Sequence, residues 1–297
     1  MQIKTIILGT AGSAPTLTRR MPSVAVIYEG DVLLFDCGEG TQFRMLEHGI
    51  NPVRVRAIFI SHAHGDHTIG IAGLVRTMGM NNRKAPLHIF VPAGDEKVIQ
   101  SLITFDRALI GYKIIIKGIR SGLVYSGKEY EVLAFKLKHT IPTYGYVFRE
   151  KSKTKFRKEL AHRLGIRGEM FAKLEKSGSV KVGKKTITLG QVSWKQEGKK
   201  IVYATDTRPI AATASAARNA DLLIHESSYN ASEIGLARKR MHSSAGEVAQ
   251  LARRAGVKRL VLTHISARHR TDDELLRDAR KFFKNTVVAK DGYTLVI

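Results

Sequence analysis

The sequence predicts an α/β protein in which two mixed β-sheets form a sandwich flanked by helices, with a basic arm that protrudes from it. Two observations predict this class. Strand-like apolar segments alternate with segments of helical spacing, and hairpins are also present, which argues against a doubly wound parallel sheet. Between residues 150 and 200 this pattern gives way to a stretch rich in Lys and Arg. We therefore expect a single domain over residues 1–297 with an arm inserted at 150–200.

The first half of the chain contains most of the predicted strands. An apolar run at residues 3–8 ends at Gly9 and predicts a buried strand. The apolar segments on either side of Glu29-Gly30-Asp31 predict a hairpin of residues 24–28 and 32–35. Helical spacing or strand-like composition predicts the remaining elements of this half, which are helices at 42–48 and 69–78 and strands at 55–60, 87–91, 132–137 and 144–148.

The arm and the segments after it complete the predicted fold. Within the arm, we expect a short helix at 156–164 and a hairpin at 180–189 that turns at Gly183-Lys184. A helix at 245–255 follows Ser243 or Ser244, either of which could cap it, and Gly256 ends it. The other elements predicted after the arm are strands at 200–204, 222–224 and 259–262, a helix at 272–283, and a strand at 286–296 that closes the sheet.

Charge is the strongest signal in the composition. The 297 residues carry 49 Lys and Arg against 26 Asp and Glu, a net charge of +23. This favours a polyanionic partner such as nucleic acid, although a solvated Lys-rich surface would give the same count. No run approaches the roughly 20 apolar residues that cross a bilayer. The only cysteine, Cys37, cannot form an internal disulfide, which favours a reducing cytoplasm.

Four potential metal ligands follow the predicted strand at 55–60 within six residues. They are His62, His64, Asp66 and His67. Imidazole and carboxylate groups suit zinc. On a tight turn, the first two side chains can point to one side and the last two to the other. One loop could therefore serve two metal ions.

Three further candidate ligands share this arrangement of an apolar strand followed by a ligand. His139, Asp206 and His264 each follow a predicted strand. If the ends of these strands meet at one edge of the sandwich, the chain brings seven ligands together, enough for a site with two metal ions. Asp206 is then the natural bridge between the ions.

The segment His62-Ala-His-Gly-Asp-His67 resembles the signature of the metallo-β-lactamase superfamily, and the resemblance extends over nearly the whole chain. Within that superfamily, further segments resemble the ribonuclease Z family. They are Phe-Asp-Cys-Gly-Glu-Gly-Thr-Gln at 35–42, Asp-Thr-Arg-Pro at 206–209, His-Glu-Ser-Ser at 225–228, His-Ser-Ser-Ala at 242–245, and Thr-His-Ile-Ser at 263–266 with Arg268.

The resemblance implies a site with two zinc ions in each subunit. One zinc would take His62, His64 and His139, the other Asp66, His67 and His264, and Asp206 would bridge them. It also implies that Asp36 orients a ligand histidine and that Asp66 accepts a proton from the attacking water. His242, supported by Glu226, would donate a proton to the leaving oxygen.

The resemblance further implies an endoribonuclease that cuts precursor tRNA after the discriminator nucleotide, leaving a 3′-hydroxyl on the tRNA and a 5′-phosphate on the trailer. The family forms homodimers and holds tRNA with its arm. The expected substrate-binding residues are Arg268 and six arm residues, Lys153, Lys155, Arg157, Lys158, Arg167 and Lys173. This chain departs from the family in three places: residues 165–171 lack the usual Gly-Pro-rich segment, Thr205 replaces a Gly, and His269 stands where Tyr is common.

Three alternatives remain open at the level of sequence. A zinc phosphodiesterase of the same fold acting on small or cyclic phosphate esters would share every ligand, although it would need neither the basic arm nor the high charge. A hydrolase of carboxylic esters, thioesters or lactones would leave both the charge and the motifs unexplained. A non-catalytic RNA-binding protein would have no need of seven metal ligands.

Overall fold

A computed structural model describes residues 2–105 and 110–297 of the chain. Its strands, in chain order, are β1 (Lys4–Gly9), β2 (Ala11–Gly12), β3 (Ser23–Tyr28), β4 (Asp31–Phe35), β5 (Val55–Phe59), β6 (Leu87–Pro92), β7 (Ile114–Ile119), β8 (Gly122–Ser126), β9 (Tyr130–Lys136), β10 (Tyr144–Glu150), β11 (Lys153–Phe156), β12 (Ser179–Val182), β13 (Lys185–Thr188), β14 (Ser193–Gln196), β15 (Lys200–Ala204), β16 (Leu222–Glu226), β17 (Leu260–Thr263), β18 (Ile265–Ser266), β19 (Thr286–Val288) and β20 (Tyr293–Val296).

The helices are short. They are α1 (Thr41–Glu47), α2 (Gly65–Thr68), α3 (Gly70–Met80), α4 (Glu96–Thr104), α5 (Lys158–Arg163), α6 (Met170–Ser177), α7 (Leu189–Val192), α8 (Ala211–Ala216), α9 (Ile234–Lys239), α10 (Ala245–Arg254) and α11 (Asp273–Arg280). Single 3₁₀ turns lie at Pro52–Arg54 and Ala231–Glu233. Among the described residues, we find no helix with the length and apolar character needed to span a bilayer.

Two seven-stranded sheets form the centre of the fold. Their strand orders are β20-β1-β3-β4-β5-β6-β7 and β19-β17-β16-β15-β10-β9-β8. Both are mixed, since β4, β5, β6 and β7 run parallel whereas β1 and β3 pair antiparallel, and the second sheet likewise combines parallel and antiparallel pairs. Helices α1, α3 and α4 share a core with the first sheet, and α10 and α11 share one with the second. The predicted αββα sandwich of two mixed sheets is therefore confirmed.

Alternation along the strands separates the two faces of the first sheet. Leu34 on β4 lies opposite Ile58 on β5, and both belong to the core beneath the helices. The next pair, Phe35 and Phe59, stacks with ring centroids 5.2 Å apart. Both rings approach Tyr146 of the second sheet. Successive strand residues point to opposite faces, so one face packs on helices and the other forms an aromatic layer between the sheets.

Local sequence explains where several elements begin and end. Glu29 and Gly30 both have positive φ, as a tight hairpin turn requires, and they join β3 to β4 as predicted. Ser244 caps α10 through a capping box with Glu247. Gly256, whose φ is +66°, follows the end of that helix. Of the two serines considered from sequence, Ser244 is the cap.

The predicted strand at 286–296 is wrong as a single element. Its first part, β19, pairs with β17 in the second sheet, whereas β20 pairs with β1 in the first. The chain crosses between the sheets at a turn that contains Gly292, whose φ is +83° and whose N–H donates to the carbonyl of Ile7. The sequence prediction also missed β7, β8 and α4, so the region after residue 91 contains more regular structure than we expected.

The chain divides into two compact units. The second unit comprises Lys128–Tyr130 and Arg149–Lys199, a range close to the predicted insertion at 150–200. It contains the small sheets β11–β14 and β12–β13 and has its own apolar core. The buried residues of that core are Ala161, Ile166, Leu174, Ile187 and Val192. The insertion is thus a folded unit rather than an irregular loop.

Candidate metal centre

The seven predicted ligands lie where strands of both sheets end. His62 follows β5, and the short helix α2 carries Asp66 and His67. Asp206 follows β15, and His264 follows β17. His64 precedes α2, and His139 lies beyond the end of β9. The structure brings all seven into two adjoining groups whose candidate ligand atoms lie within 4.8 Å of one another in each group.

The first group contains His62, His64, His139 and Asp206. The Nε2 atom of His62 lies 3.0 Å from Nδ1 of His64 and 3.7 Å from Oδ2 of Asp206. The Nε2 atom of His139 also lies 3.7 Å from that oxygen. Three imidazole nitrogens and one carboxylate oxygen therefore converge on one point.

The second group contains Asp66, His67 and His264. The Nε2 atom of His67 lies 3.4 Å from Oδ2 of Asp66 and 3.5 Å from Oδ1 of Asp206. That same Oδ1 atom is 3.0 Å from Nε2 of His264. One oxygen of Asp206 thus faces each group, which is the arrangement a bridging carboxylate needs.

Two buried nitrogens of the second group support a metal site. The Nε2 atoms of His67 and His264 are inaccessible to solvent, and although carboxylate oxygens lie 3.0 to 3.7 Å from them, no described residue meets either atom in hydrogen-bond geometry. Leaving a buried polar atom unpaired is unfavourable. A cation would satisfy both atoms, and imidazole with carboxylate is a donor set that suits zinc. The residues present therefore fit a metal cofactor.

Asp36 fixes the orientation of His67. Its Oδ2 atom lies 2.8 Å from Nδ1 of His67 and accepts hydrogen bonds from the hydroxyls of Tyr203 and Ser61. Its Oδ1 atom accepts from the backbone N–H of Ser61. A proton held on Nδ1 leaves the lone pair of Nε2 available for a metal. Asp36 has a φ of +58°, a strained backbone conformation for a residue other than glycine.

His264 is held by close packing as well as by hydrogen bonding. Its Nδ1 atom lies 3.1 Å from the hydroxyl of Ser228, and its own φ is +54°. A Cβ atom added to Gly12 would lie 2.8 Å from the same Nδ1 atom, closer than real contacts allow. Position 12 therefore has to be glycine for His264 to occupy this position.

The buried charges in the cluster depend on one another. Burial alone would raise the pKa of Asp206, but His264, His67 and His62 hold it well below its usual range. Burial would lower the pKa of His67, but Asp36 and Asp206 raise it well above the ordinary value. Burial lowers the pKa of His139 and, together with its neighbour His67, that of His62. The carboxylates of Asp36 and Asp206 therefore favour a positive charge beside His67, whereas burial favours the neutral, metal-binding form of His62 and His139.

His242 and Glu226 form a pair beside the metal ligands. The Nδ1 atom of His242 lies 3.1 Å from Oε1 of Glu226, which is fully buried. The ring of His242 lies 5.2 Å from that of His139 and 5.6 Å from that of His264, centroid to centroid. Burial acts to lower the pKa of His242, but the carboxylate of Glu226 overcomes this and raises it to about 9. Without a bound metal, the imidazole is consequently protonated at neutral pH.

Arg208 holds the loop that carries His242, a role the sequence prediction missed. Its guanidinium donates to the carbonyl of His242 and pairs with Glu247 in the first turn of α10. The backbone N–H groups of Thr207 and Ser243 donate to Glu226 at 3.1 and 2.9 Å. Arg208 lies within the motif Asp-Thr-Arg-Pro at 206–209, but nothing in that motif indicates its partners.

Thr205 and His269, the two residues near the site that differ from the family pattern, both make hydrogen-bond contacts. The hydroxyl of Thr205 donates to Oδ1 of Asp206 at 2.9 Å, so it supports the central carboxylate. Nε2 of His269 lies 3.1 Å from the carbonyl oxygen of Ser228 and 3.6 Å from Glu233. Both side chains therefore stabilise the surroundings of the ligands.

The predicted substrate-binding residues lie in both units. In the first unit, Arg268 bonds to Glu233 at 3.1 Å, and its guanidinium lies 4.8 Å from the centroid of Tyr229. In the second unit, the ammonium of Lys153 lies 3.4 Å from Glu129 and 3.5 Å from Glu150, which partly compensate its charge. The other five predicted arm residues are exposed: Lys155, Arg157, Lys158, Arg167 and Lys173. Their contact with substrate stays a prediction.

Comparison with known proteins identifies the family. Residues 17–264 match the model of the metallo-β-lactamase superfamily. The protein named ribonuclease Z of Methanosarcina mazei is 42% identical over 294 residues, covering 97% of this chain and 96% of that protein. The protein of the same name from Methanothermobacter thermautotrophicus is 38% identical over 98% of this chain and 95% of its own length.

The fold is also that of a solved structure. The crystal structure of human tRNase Z, short form, superposes with a TM-score of 0.73 over 98% of both chains at 24% identity. That structure supports the fold, and the more similar relatives support the narrower grouping. The chain therefore belongs to the ribonuclease Z family within the metallo-β-lactamase superfamily.

Proposed function

We infer that the protein is a metal-dependent endoribonuclease that removes 3′ trailers from precursor tRNA. The observation that carries this inference is a cluster of seven candidate ligands, in which one oxygen of Asp206 faces each of two groups, within a chain that is 42% identical to a protein named ribonuclease Z. The high positive charge suits an RNA substrate. We place the cut after the discriminator nucleotide, with a 3′-hydroxyl left on the tRNA.

We propose zinc as the metal, with two ions per subunit. His62, His64 and His139 would hold one ion, and Asp66, His67 and His264 would hold the other. The two oxygens of Asp206 support its role as the bridge, because each faces one group. The nitrogen-rich donor set favours zinc over magnesium or calcium, which prefer oxygen ligands.

The chemistry is hydrolysis of a phosphodiester. When bound, two zinc ions lower the pKa of the attacking water and offset negative charge on the phosphate. Asp66 is ionised at neutral pH: burial acts to raise its pKa, but His264 and His67 hold it well below its usual range. We assign it the role of accepting the proton of the attacking water.

We assign His242 as the proton donor to the leaving oxygen. Its pKa, raised to about 9 by Glu226 in the absence of metal, supports this role, because a general acid has to be protonated at the working pH. Glu226 holds the ring and stabilises its protonated form. Without such a donor, the departing oxygen of the tRNA would leave as an unprotonated anion.

We further propose that the protein is a cytoplasmic homodimer. The lone cysteine, Cys37, is buried and has no second cysteine in the chain to pair with, which suits a reducing compartment. Phe43 and Leu46, three residues apart on α1, are 61% and 57% exposed. Exposed apolar side chains on one helical face commonly mark an interface. Light scattering on the native protein and on Phe43→Ser would test whether the protein is a dimer. A dimer that is lost in the variant supports an interface at Phe43 and Leu46 of α1. A monomeric native protein would contradict the dimer.

Cleavage of a 3′-extended precursor tRNA by the zinc-loaded protein tests the function, with Asp66→Ala beside it and the cut mapped. One cut at the discriminator nucleotide that is lost in the variant supports the proposal. If several precursors stay intact while a simple phosphodiester is hydrolysed with zinc, the alternative of a small-ester phosphodiesterase replaces it.

A further inference from the structure

The chain has one tryptophan, and it is exposed. Trp194 lies on β14 in the second unit and is 47% accessible. Strand β14 pairs with β11, and Lys155 lies directly opposite Trp194. Paired residues of an antiparallel ladder share a face, so the indole and the ammonium group of Lys155 lie on the same face of this small sheet.

The other face of this sheet packs on the core of the unit. Phe156, paired with Ser193, lies one position along the ladder from Lys155. Its ring meets Phe171 edge-on at 5.0 Å and packs against the apolar core of the unit. Because side chains alternate between faces, Trp194 points away from that core. Burial within the unit therefore does not account for the tryptophan.

The surroundings of Trp194 are basic. Residues 149–199 contain 15 Lys and Arg against five Asp and Glu. Lys155, opposite the tryptophan, is exposed on the same face, whereas Lys195, the next residue of β14, lies on the other face. An exposed aromatic ring beside a cation suits single-stranded or loop nucleotides, whose bases stack on the ring while a phosphate meets the cation. An acidic peptide would use the charge but would have less use for the flat ring.

We propose that Trp194 and Lys155 form an RNA-binding contact of the second unit, in which the indole stacks on an unpaired nucleobase and Lys155 pairs with a neighbouring phosphate. The proposal rests on the proposed function, because it names the part of the arm that recognises the precursor tRNA. The proposal also distinguishes Lys155, which lies on the same face of the β11–β14 sheet as Trp194, from the exposed arm residues outside that face.

The single tryptophan makes a direct measurement possible. We would titrate the full-length Asp66→Ala protein, which should not cleave, with a 3′-extended precursor tRNA and record tryptophan fluorescence. We expect quenching by the RNA and protection of the indole from acrylamide. Unchanged emission and accessibility at saturating RNA would overturn the proposal. Equal protection by polyglutamate would overturn it too, since it would indicate an acidic protein partner.

Variants provide a second measurement with a kinetic readout. Trp194→Leu is expected to raise KM for precursor tRNA roughly tenfold, the range of one base–aromatic stack, with kcat within about twofold. Trp194→Phe should recover part of the loss. Lys155→Gln should raise KM more than Lys184→Gln, which removes the same charge from the turn between β12 and β13. Equal effects of the two lysine changes, or an unchanged KM in Trp194→Leu, would contradict the proposal.

Failure of the Trp194–Lys155 contact can be distinguished from failure of the proposed function. If the native protein cleaves precursor tRNA but these variants behave as it does, the contact is wrong and the function stands. If the native protein cleaves no precursor, the proposed function fails, and the fluorescence titration still decides whether Trp194 meets RNA.

Discussion

The carboxylate of Asp36 lies 2.8 Å from Nδ1 of His67, and neither side chain is accessible to solvent. Asp36 reaches this position through a backbone with φ of +58°. The pair connects the end of β4 to helix α2, and it decides which nitrogen of His67 faces the other ligands. A residue outside the proposed ligand set therefore determines whether His67 can bind a metal.

Replacing Asp36 with Asn should weaken metal binding without removing a ligand. The amide cannot hold the proton on Nδ1 of His67 as a carboxylate does, so we expect zinc affinity to fall about 10- to 100-fold. Competition with a chromophoric chelator measures the affinity. Asp31→Asn is the matched control, because Asp31 pairs with Arg56 at the surface. Equal zinc affinity in both variants and the native protein would contradict the assignment.

Changing His242 should separate proton donation from metal binding. We expect His242→Asn to lower kcat by roughly 10²- to 10⁴-fold, the usual contribution of a general acid, with two zinc ions still bound. Because the acid form is the active one, native activity should fall as pH rises through the pKa of His242. That pKa is about 9 without metal, and nearby cations would lower it.

The measurement for His242 is kcat against pH, with zinc content determined on the same samples. The descending alkaline limb should be absent in His242→Asn. His162→Asn, in the second unit, is the control and should retain the native profile. If the limb persists in His242→Asn, another group is the acid.

The metal-free protein should lose stability as the solution becomes alkaline. The folded-state pKa of His242 is raised to about 9 from an ordinary value of 6.5, so its stabilising contribution is complete below about pH 6.5 and lost as pH rises through about 9. His67, whose pKa is also raised, adds a loss of the same sign. Thermal unfolding in chelator from about pH 6 to about pH 10 measures this. His242→Asn should show a smaller decline than the native chain, and an identical decline would count against the pair with Glu226.

Adding one methyl group at position 12 should displace a ligand. The Cβ atom of Gly12→Ala would lie 2.8 Å from Nδ1 of His264, so His264 has to move, and we expect zinc affinity to fall about tenfold or more. Gly235→Ala is the control, because a Cβ atom there meets no atom of the described residues within 4 Å. Zinc titration of both variants measures the affinity, which should fall in Gly12→Ala and stay at the native value in Gly235→Ala. Native affinity in Gly12→Ala would show that His264 tolerates the shift.

The sequence predicted those features of the structure that depend on neighbouring residues in a single segment. Histidines and an aspartate directly after an apolar strand predict a metal site, because strand ends in one layer meet at one edge. The hairpin around Gly30 and the cap at Ser244 were also local signals. By contrast, the split of residues 286–296 between two sheets depends on distant strands β17 and β1, which apolar composition alone does not reveal.

The sequence did not predict side-chain contacts between distant segments of the chain. Arg208 meets His242 and Glu247, 34 and 39 residues further along the chain, and no pattern around position 208 indicates either partner. Tyr203 reaches Asp36 across 167 residues. The exposed Trp194 was missed for a different reason, since an isolated aromatic residue in a basic segment does not reveal whether it faces inward until the strand pairing is known.

The second unit has its own apolar core, with Leu174 and Ile187 among its buried members, whereas the seven proposed ligands belong to the first unit. Substitutions on the surface of the second unit can therefore accumulate over evolution without disturbing the geometry on which hydrolysis depends. If the second unit contacts RNA as proposed, related enzymes can in this way diverge in the RNAs they select while retaining the same chemistry. An exchange of the whole segment between two such enzymes should transfer the preference and leave the reaction unchanged.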